Sequence, residues 1–199
     1  MPSQEGQDVY VLDKLSYKRQ GFFVEIGAYD GKEFSNTTMM EFEYGWKGIL
    51  SECDPMVIDK LKEYRRKCII DTRAVWSKTG ENIEFKCVEN GKLSGIVERL
   101  VSHKSKVNCG KIVHVDTVTL DDLLDQYNAP NIVDYMSIDT EGSEFDILNA
   151  YSFSRKFRIV TIEHLNDKEK IEELMISKGY RPDRHFLNEQ ETAFVYQGM

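Results

Sequence analysis

Five short runs of apolar and β-branched residues alternate along this chain with segments of helical periodicity, and that alternation restricts the fold more than any other feature. The runs are Phe22–Ile26, Lys47–Glu52, Cys68–Asp71, Val133–Asp139 and Arg158–Glu163. Strands separated by helical crossovers pair in parallel, with helices covering both faces of the sheet. Helices are predicted at about Glu5–Tyr17, with Val9, Leu12 and Leu15 on one face, and at Asn36–Tyr44. Another follows Pro55, carrying Val57, Leu61 and Tyr64, and ends at Arg65-Arg66-Lys67, a basic cluster suited to a helix C-terminus. Thr119 reads as an N-cap, Ser143 as a cap for a helix running to Asn149, and Lys168–Lys178 as the last helix. Residues 82 to 119 read as an extended excursion with strands at Ile83–Val88 and Ile112–Val118. Tyr180–Leu187 and Thr192–Tyr196, joined by the short turn Asn188-Glu189-Gln190, close the chain as an antiparallel hairpin. That ending is unusual for a dinucleotide-binding domain.

The 199 residues suit one α/β domain, which buries roughly 70% of its unfolded surface. Basic side chains number 26 and acidic ones 34, a net charge of −8 that argues against an extended nucleic-acid-binding surface. No apolar run reaches the ~18 residues of a membrane span, and Met1-Pro2-Ser3-Gln4-Glu5 has no signal-peptide core. Cys53, Cys68, Cys87 and Cys109 form no CxxC pair, so a reduced, cytoplasmic protein is expected rather than a disulfide scaffold or zinc ribbon.

The residues that carry chemistry gather at strand C-termini, where open α/β sheets bind ligands. Glu25-Ile26-Gly27-Ala28-Tyr29-Asp30-Gly31 supplies a glycine turn after the first strand, but as ExGxxxG it lacks a glycine of the pyrophosphate fingerprint. Glu52, 25 residues beyond Gly27, ends the second strand, where a carboxylate accepts from a ribose diol. Together they fit an adenosine ligand without a pyrophosphate, and S-adenosylmethionine is one. Asp139-Thr140-Glu141-Gly142-Ser143-Glu144 follows the fourth strand; Asp139 and Glu141 face one cleft if the chain is still extended there, and opposed carboxylates raise each other's pKa. Its structural alternative is a capping cluster. Glu163-His164 ends the fifth strand. With Asp139 these two form a mixed oxygen and nitrogen set suited to Mg²⁺ or Mn²⁺; alternatively His164 is a catalytic base, or Glu163 hydrogen-bonds a cofactor ammonium. His103, His114 and His185 receive no role.

Taken in order, Gly21–Gly31, Ser35-Asn36-Thr37, Gly45–Leu50, Asp54-Pro55, Ala74-Val75, Val115–Leu124 and above all Val133–Phe145 resemble the FkbM family of S-adenosylmethionine-dependent methyltransferases, with Gln4–Asp8 as the family's lead-in. The resemblance spans nearly the whole chain. It implies the class I methyltransferase fold, a seven-stranded, mostly parallel sheet flanked by helices with a C-terminal antiparallel hairpin. It further implies that Glu25, Gly27, Ala28, Tyr29, Asp30 and Gly31 line the methionine part of the cofactor and that Glu52 holds the ribose. Cys53, Asp54, Arg73, Ala74 and Val75 would flank the adenine, and Asp139 and Glu141 would face the transferring methyl. The sequence departs from the family pattern at Ser51-Glu52-Cys53-Asp54, where a hydrophobic-Glu-Pro-Asn run is usual, and at Ser137, where relatives often carry lysine.

The expected reaction is in-line methyl transfer to a sugar hydroxyl of a glycan or glycosylated metabolite, with Glu141 or His164 as base and Asp139 holding any metal. A carbohydrate is therefore the expected partner, met by Glu89–Gly110, Tyr29 and Phe34. About twenty residues precede the first strand, as in a module of a longer polypeptide with a glycosyltransferase neighbour. An RNA ribose 2′-O-methyltransferase needs a basic groove and a lysine set; a non-catalytic methyltransferase-like binding module predicts no cofactor affinity; a nicotinamide oxidoreductase needs the missing glycine.

Overall fold

A computed structural model describes residues 3–65, 67–88, 91, 93–100, 110–164, 167–187 and 190–198. Its main sheet has seven strands: β1 (Phe22–Ile26), β2 (Lys47–Ser51), β3 (Ile69–Asp71), β8 (Ile132–Ile138), β9 (Lys156–Glu163), β10 (Tyr180–Leu187) and β11 (Glu191–Tyr196). They lie in the order β3-β2-β1-β8-β9-β11-β10. All neighbours pair in parallel except β11, which runs antiparallel to both β9 and β10. This is the class I methyltransferase arrangement, with the terminal hairpin inserting its last strand inside the edge. The strand order reverses between β1 and β8, which opens a crevice at their C-terminal ends.

Alternation along the strands sorts the sheet into two cores. Val24, Ile26, Ile49, Met136, Ile138, Val160, Ile162 and Phe194 face one side. They pack against α4 (Leu120–Gln126), α5 (Glu144–Ala150) and α6 (Lys168–Ser177) through Leu123, Leu148, Ile171 and Met175. Phe23, Leu50, Tyr135 and Ile159 face the other side with Val11, Leu12, Met40 and Leu61, which come from α1 (Gln7–Lys14), α2 (Thr38–Tyr44) and α3 (Ile58–Tyr64).

The excursion after β3 forms a sheet of its own, with strands β4 (Ala74–Val75), β5 (Asn82–Cys87), β6 (Gly95–Ile96) and β7 (Lys111–Val118) in the order β4-β7-β5-β6. A small core of Ala74, Trp76, Phe85, Cys87, Ile96 and Val115 backs it. Thr119 caps α4 as expected, accepting from the backbone N–H of Asp122 at 3.2 Å. The turn expected at 188–190 falls partly on residues outside those described.

Two helical expectations need correcting. α1 starts at Gln7, and Val9 is exposed while Gln7, Asp8, Val11 and Leu12 turn inward. Two polar residues take the buried face because each finds a partner there: the Ser3 hydroxyl donates to Asp8 at 2.7 Å and Gln7 donates to Glu191. The second correction is Arg65. It is not a solvated cation at the end of α3 but the largest fully buried side chain among the described residues. Its Nε donates to Glu41, one terminal nitrogen to Gly31 O, Ser35 and Thr38, and the other to Thr37, with Glu25 at 4.0 Å. Removing one member of such a buried set leaves an unpaired charge. Arg65→Met strands Glu25 and Glu41 and is expected to lower unfolding free energy by about 3–5 kcal/mol; urea denaturation at pH 7 measures this, and a loss under about 1 kcal/mol would contradict the reading.

Candidate functional site

Three cavities meet at Asp139, at the end of β8. The largest is a cleft of about 650 Å³, including the space open at its mouth, between the ends of β1, β2 and β8 and the small sheet. The second, about 460 Å³, lies over the loop after β1, and the third, about 310 Å³, lies between the N-terminal segment and the hairpin. Asp139 lines all three.

Close approach of the two central loops creates this junction. Asp139 N donates to Ile26 O at 3.0 Å, and Gly27 N to Ser51 O at 3.0 Å. Gly27 has φ +81°, and a Cβ there would lie 1.7 Å from Asp139 O. Only glycine fits. Tyr29 (φ 50°) and Glu141 (φ 60°) also hold left-handed backbone, and both line the cleft. Non-glycine residues in that region cluster at ligand sites.

Glu52 enters the cleft from the end of β2. Its Oε2 accepts from Tyr29 N and its Oε1 from Asp54 N, each at 2.8 Å. An ionised carboxylate has about four lone-pair positions, so acceptor capacity remains for a ligand. Burial is the largest influence on Glu52 and pushes its pKa up to about 7, against the pull of those backbone N–H groups.

Cys53, Arg73, Ala74 and Val75 line the cleft beside Glu52, as anticipated, and Arg73 is held by Asp71. Asp54 does not: it is buried in the turn leading to α3, where Oδ1 accepts from Met56 N at 2.8 Å. The small sheet supplies Phe85, which the sequence reading did not place at the site, and Gly91, Ser94 and Ile96 also line the cleft. The expected acceptor segment Glu89–Gly110 thus contributes to the cleft, while its residues 89, 90, 92 and 101–109 lie outside the described part.

The second cavity is lined by Glu25, Ala28, Tyr29 and Phe34. Glu25 itself is committed to the protein, accepting from Asn36 N at 2.7 Å and from the hydroxyls of Ser35 and Thr37. Burial raises the Glu25 pKa, opposed first by Arg65. Asp30 and Gly31 line neither cavity. Asp30 accepts from Lys32 N and Glu33 N in a local turn, and Gly31 packs against Leu61 and Arg65. Ser137, where relatives often carry lysine, accepts from Asn36 Nδ2 at 2.7 Å.

Asp139, Glu141 and Glu163 offer carboxylate oxygens within 4.8 Å of one another, a set able to hold a metal ion. Asp139 and Glu141 converge through a left-handed turn after β8 ends at Ile138, not through an extended strand. Burial first and then Asp139 and Glu144 push Glu141 up to about 8. Asp139 is open to the cleft yet ringed by protein; loss of hydration raises its pKa, and Glu163 rises through burial and through Asp139 beside it. Glu144 accepts from Thr140 N and Gly142 N and so shapes the loop, while the Ser143 hydroxyl donates to Thr140 rather than capping α5.

His164 is outside this set, a correction to the expected Asp139, Glu163 and His164 trio. Adjacent strand residues point to opposite faces. Glu163 pairs with Glu191, whereas His164 is buried with its Nε2 2.8 Å from Thr192 Oγ1, and Thr192 pairs with Ile162 on the apolar face.

A family model described as "Methyltransferase FkbM domain" matches residues 25–182. Among solved structures, the chain is similar to precorrin-6y C5,15-methyltransferase from Geobacter metallireducens (TM-score 0.52, 10% identity, covering 98% of this chain and 88% of that one). It is also similar to the METTL16 MTase domain (0.55, 12%, 96% and 66%) and to ribosomal protein L11 methylase from Lactobacillus delbrueckii subsp. bulgaricus (0.50, 9%, 96% and 77%). No curated protein matches the sequence.

The Gly27 contact yields a paired expectation. Gly80 has almost the same backbone (φ +80°) with nothing within 4 Å of a Cβ, so Gly80→Ala costs only the left-handed penalty of about 1–2 kcal/mol. Gly27→Ala adds a backbone clash and should cost several kcal/mol more. Thermal unfolding of the two variants side by side checks this, and equal losses would refute a Gly27–Asp139 constraint.

Proposed function

The chain belongs to the FkbM methyltransferase family, S-adenosylmethionine-dependent enzymes, and we propose that it methylates a sugar hydroxyl of a glycan or glycosylated metabolite. The observation that carries the cofactor half of this reading is Glu52, whose remaining acceptor capacity suits a ribose diol at the large cleft. Cys53, Ala74, Val75, Phe85 and Ile96 would then hold the adenine, and Gly27 and Ala28 in the second cavity would hold the methionine part. Asp139, common to all three cavities, stands where donor and acceptor meet.

Bound S-adenosylmethionine supplies a methyl group on sulfonium sulfur for in-line displacement by the acceptor oxygen. The protein must align that oxygen and take its proton. Glu141 is the group we assign as base: it lines the cleft next to Asp139, and a proton affinity raised to about 8 matches a base working near neutrality. His164, engaged with Thr192, gives up that role. Where a divalent cation is bound, Asp139 and Glu163 would hold it together with Glu141, which would then serve as a ligand and not as the base, and the cation would lower the pKa of the acceptor hydroxyl.

The carboxylates around Asp139 oppose a polyanion, which favours a sugar over RNA. Among the described residues no helix is long and apolar enough to cross a membrane. Free thiols at Cys53, Cys68 and Cys87 support a reducing, cytoplasmic setting.

Calorimetry with S-adenosylhomocysteine tests the cofactor site. Glu52→Ala should weaken binding by ~1–3 kcal/mol, the range for charge-assisted hydrogen bonds. Ribose hydroxyls donate best to the ionised carboxylate, so the proton that Glu52 carries below pH 7 opposes binding. Affinity should rise roughly tenfold from pH 6 to pH 8 and then level off, and the Glu52→Ala profile should be flat. Absence of binding at every pH would remove the enzyme reading. Radiolabelled methyl transfer to a panel of glycosides tests the acceptor half, with transfer confined to non-carbohydrate acceptors as the contrary result.

A further inference from the structure

Two walls of the large cleft meet away from its mouth. One is the turn after β8, which contributes Asp139, Thr140, Glu141 and Ser143; the other lies at β6 and contributes Ser94 and Ile96. Beyond β6 the chain folds back on itself. Val97 N donates to Glu84 O at 3.0 Å, and Arg99 N and Leu100 N donate to Ile96 O at 2.9 and 3.1 Å. Residues 95–100 thereby lie against the turn: a Cβ on Gly95 would stand 3.4 Å from Glu141 Cβ, and one on Gly142 3.0 Å from Arg99 O. A single ion pair fastens the contact. Arg99 Nη2 donates at 2.5 Å to Oδ1 of Asp146, in the first turn of α5. Arg99 Nε and Asp146 Oδ2 are buried and have no hydrogen-bond partner among the described residues, so one bond makes the join.

We propose that Arg99 is a positioning residue for methyl transfer, holding residues 95–100 against the turn so that the Glu141 carboxylate faces the acceptor. This deepens the reading of Glu141 as the acceptor-side group and rests on it, whether Glu141 takes a proton or holds a cation. Glu141 (φ 60°) and Gly142 (φ +120°) are consecutive residues in backbone that side-chain-bearing residues rarely adopt. Such a conformation persists only where its surroundings over-determine it. Glu144 secures one side of the turn, accepting from Thr140 N at 2.8 Å and from Gly142 N at 3.1 Å. The 95–100 segment secures the other side, and Arg99 holds that segment in place. Arg99 does not itself line the cleft, so it acts through the turn. The pair is not a stability device. With the Arg99 side chain 40% and the Asp146 side chain 20% exposed, it adds little to global stability, and its effect comes from the place it joins.

Amide hydrogen exchange on the full chain without ligand tests the join directly. Arg99→Gln should speed exchange at Thr140 N and Gly142 N roughly tenfold or more, while Asp139 N, bonded to Ile26 O, is unchanged. The thermal midpoint should fall by no more than about 3 °C. In the same variant, radiolabelled methyl transfer to a panel of glycosides should lose about tenfold in kcat. S-adenosylhomocysteine affinity should stay at the wild-type value, because Ile96 remains paired with Phe85. Since Arg99 uses one bond, Arg99→Lys should restore both readouts to within about threefold of wild type. Asp146→Asn should match Arg99→Gln, and the double variant should be no worse than either single one. Unchanged exchange at Gly142, a loss of turnover matched by a loss of S-adenosylhomocysteine affinity, or additive effects in the double variant would overturn the proposal. The reading beneath it fails by different results. Glu141→Gln turning over at the wild-type rate would remove the role that Arg99 is said to support, even with exchange at Gly142 altered. With no glycoside methylated, the sugar reading falls, and amide exchange decides alone whether Arg99 holds the turn.

Discussion

A guanidinium with no access to water organises the ligand side of this fold. Arg65 leaves the end of α3, crosses beneath the loop after β1 and donates to Gly31 O, Ser35, Thr37, Thr38 and Glu41. Its fork geometry lets one side chain satisfy acceptors in several directions, which an ammonium could not do. Ser35, Asn36 and Thr37 meanwhile direct their donors at Glu25. The segment from Gly31 to Thr38 is thereby held between a buried cation and a buried carboxylate. Because it follows directly on Gly27, Ala28 and Tyr29, those contacts fix the wall of two cavities, and the left-handed backbone at Tyr29 and Phe34 is sustained by them.

Charge is distributed unevenly around that frame. On the β2 side of the large cleft, the Glu52 carboxylate is anchored by the backbone N–H groups of Tyr29 and Asp54. On the far side of Asp139 carboxylates accumulate, and the pKa values of Glu141, Glu163 and Glu191 all rise, first through burial and then through Asp139.

The parts of this arrangement that depend on local pattern were legible in the sequence. Strands β1, β2, β8 and β9 are short apolar runs bounded by glycine or acidic residues, and the terminal hairpin follows from two strands with a short turn. Gly27, Glu52, Asp139 and Glu141 sit at strand ends, where spacing alone points to a ligand. What was illegible depends on partners far away in the chain. Arg65 looks like any basic helix terminus until Glu25 and Glu41 close on it. Glu25 looks like a ligand residue until Ser35, Asn36 and Thr37 occupy it. His164 sits beside Glu163 in sequence, yet the pleat of β9 sends the two to opposite faces. Phe85 and Ile96 enter the cleft only because β4 pairs with β7 and folds the small sheet over the nucleoside side.

The hydrogen bond between Gln7 and Glu191 has a bearing on how the protein is made. It joins α1 to the first residue of β11 across 184 positions, and β11 lies inside the sheet between β9 and β10. During synthesis β1, β2 and β8 can assemble the nucleoside cleft while the ribosome still holds the final strand. The wall beside Asp139 forms only when β11 has emerged and threaded between its neighbours, so the cleft between β1, β2 and β8 takes shape before that wall does.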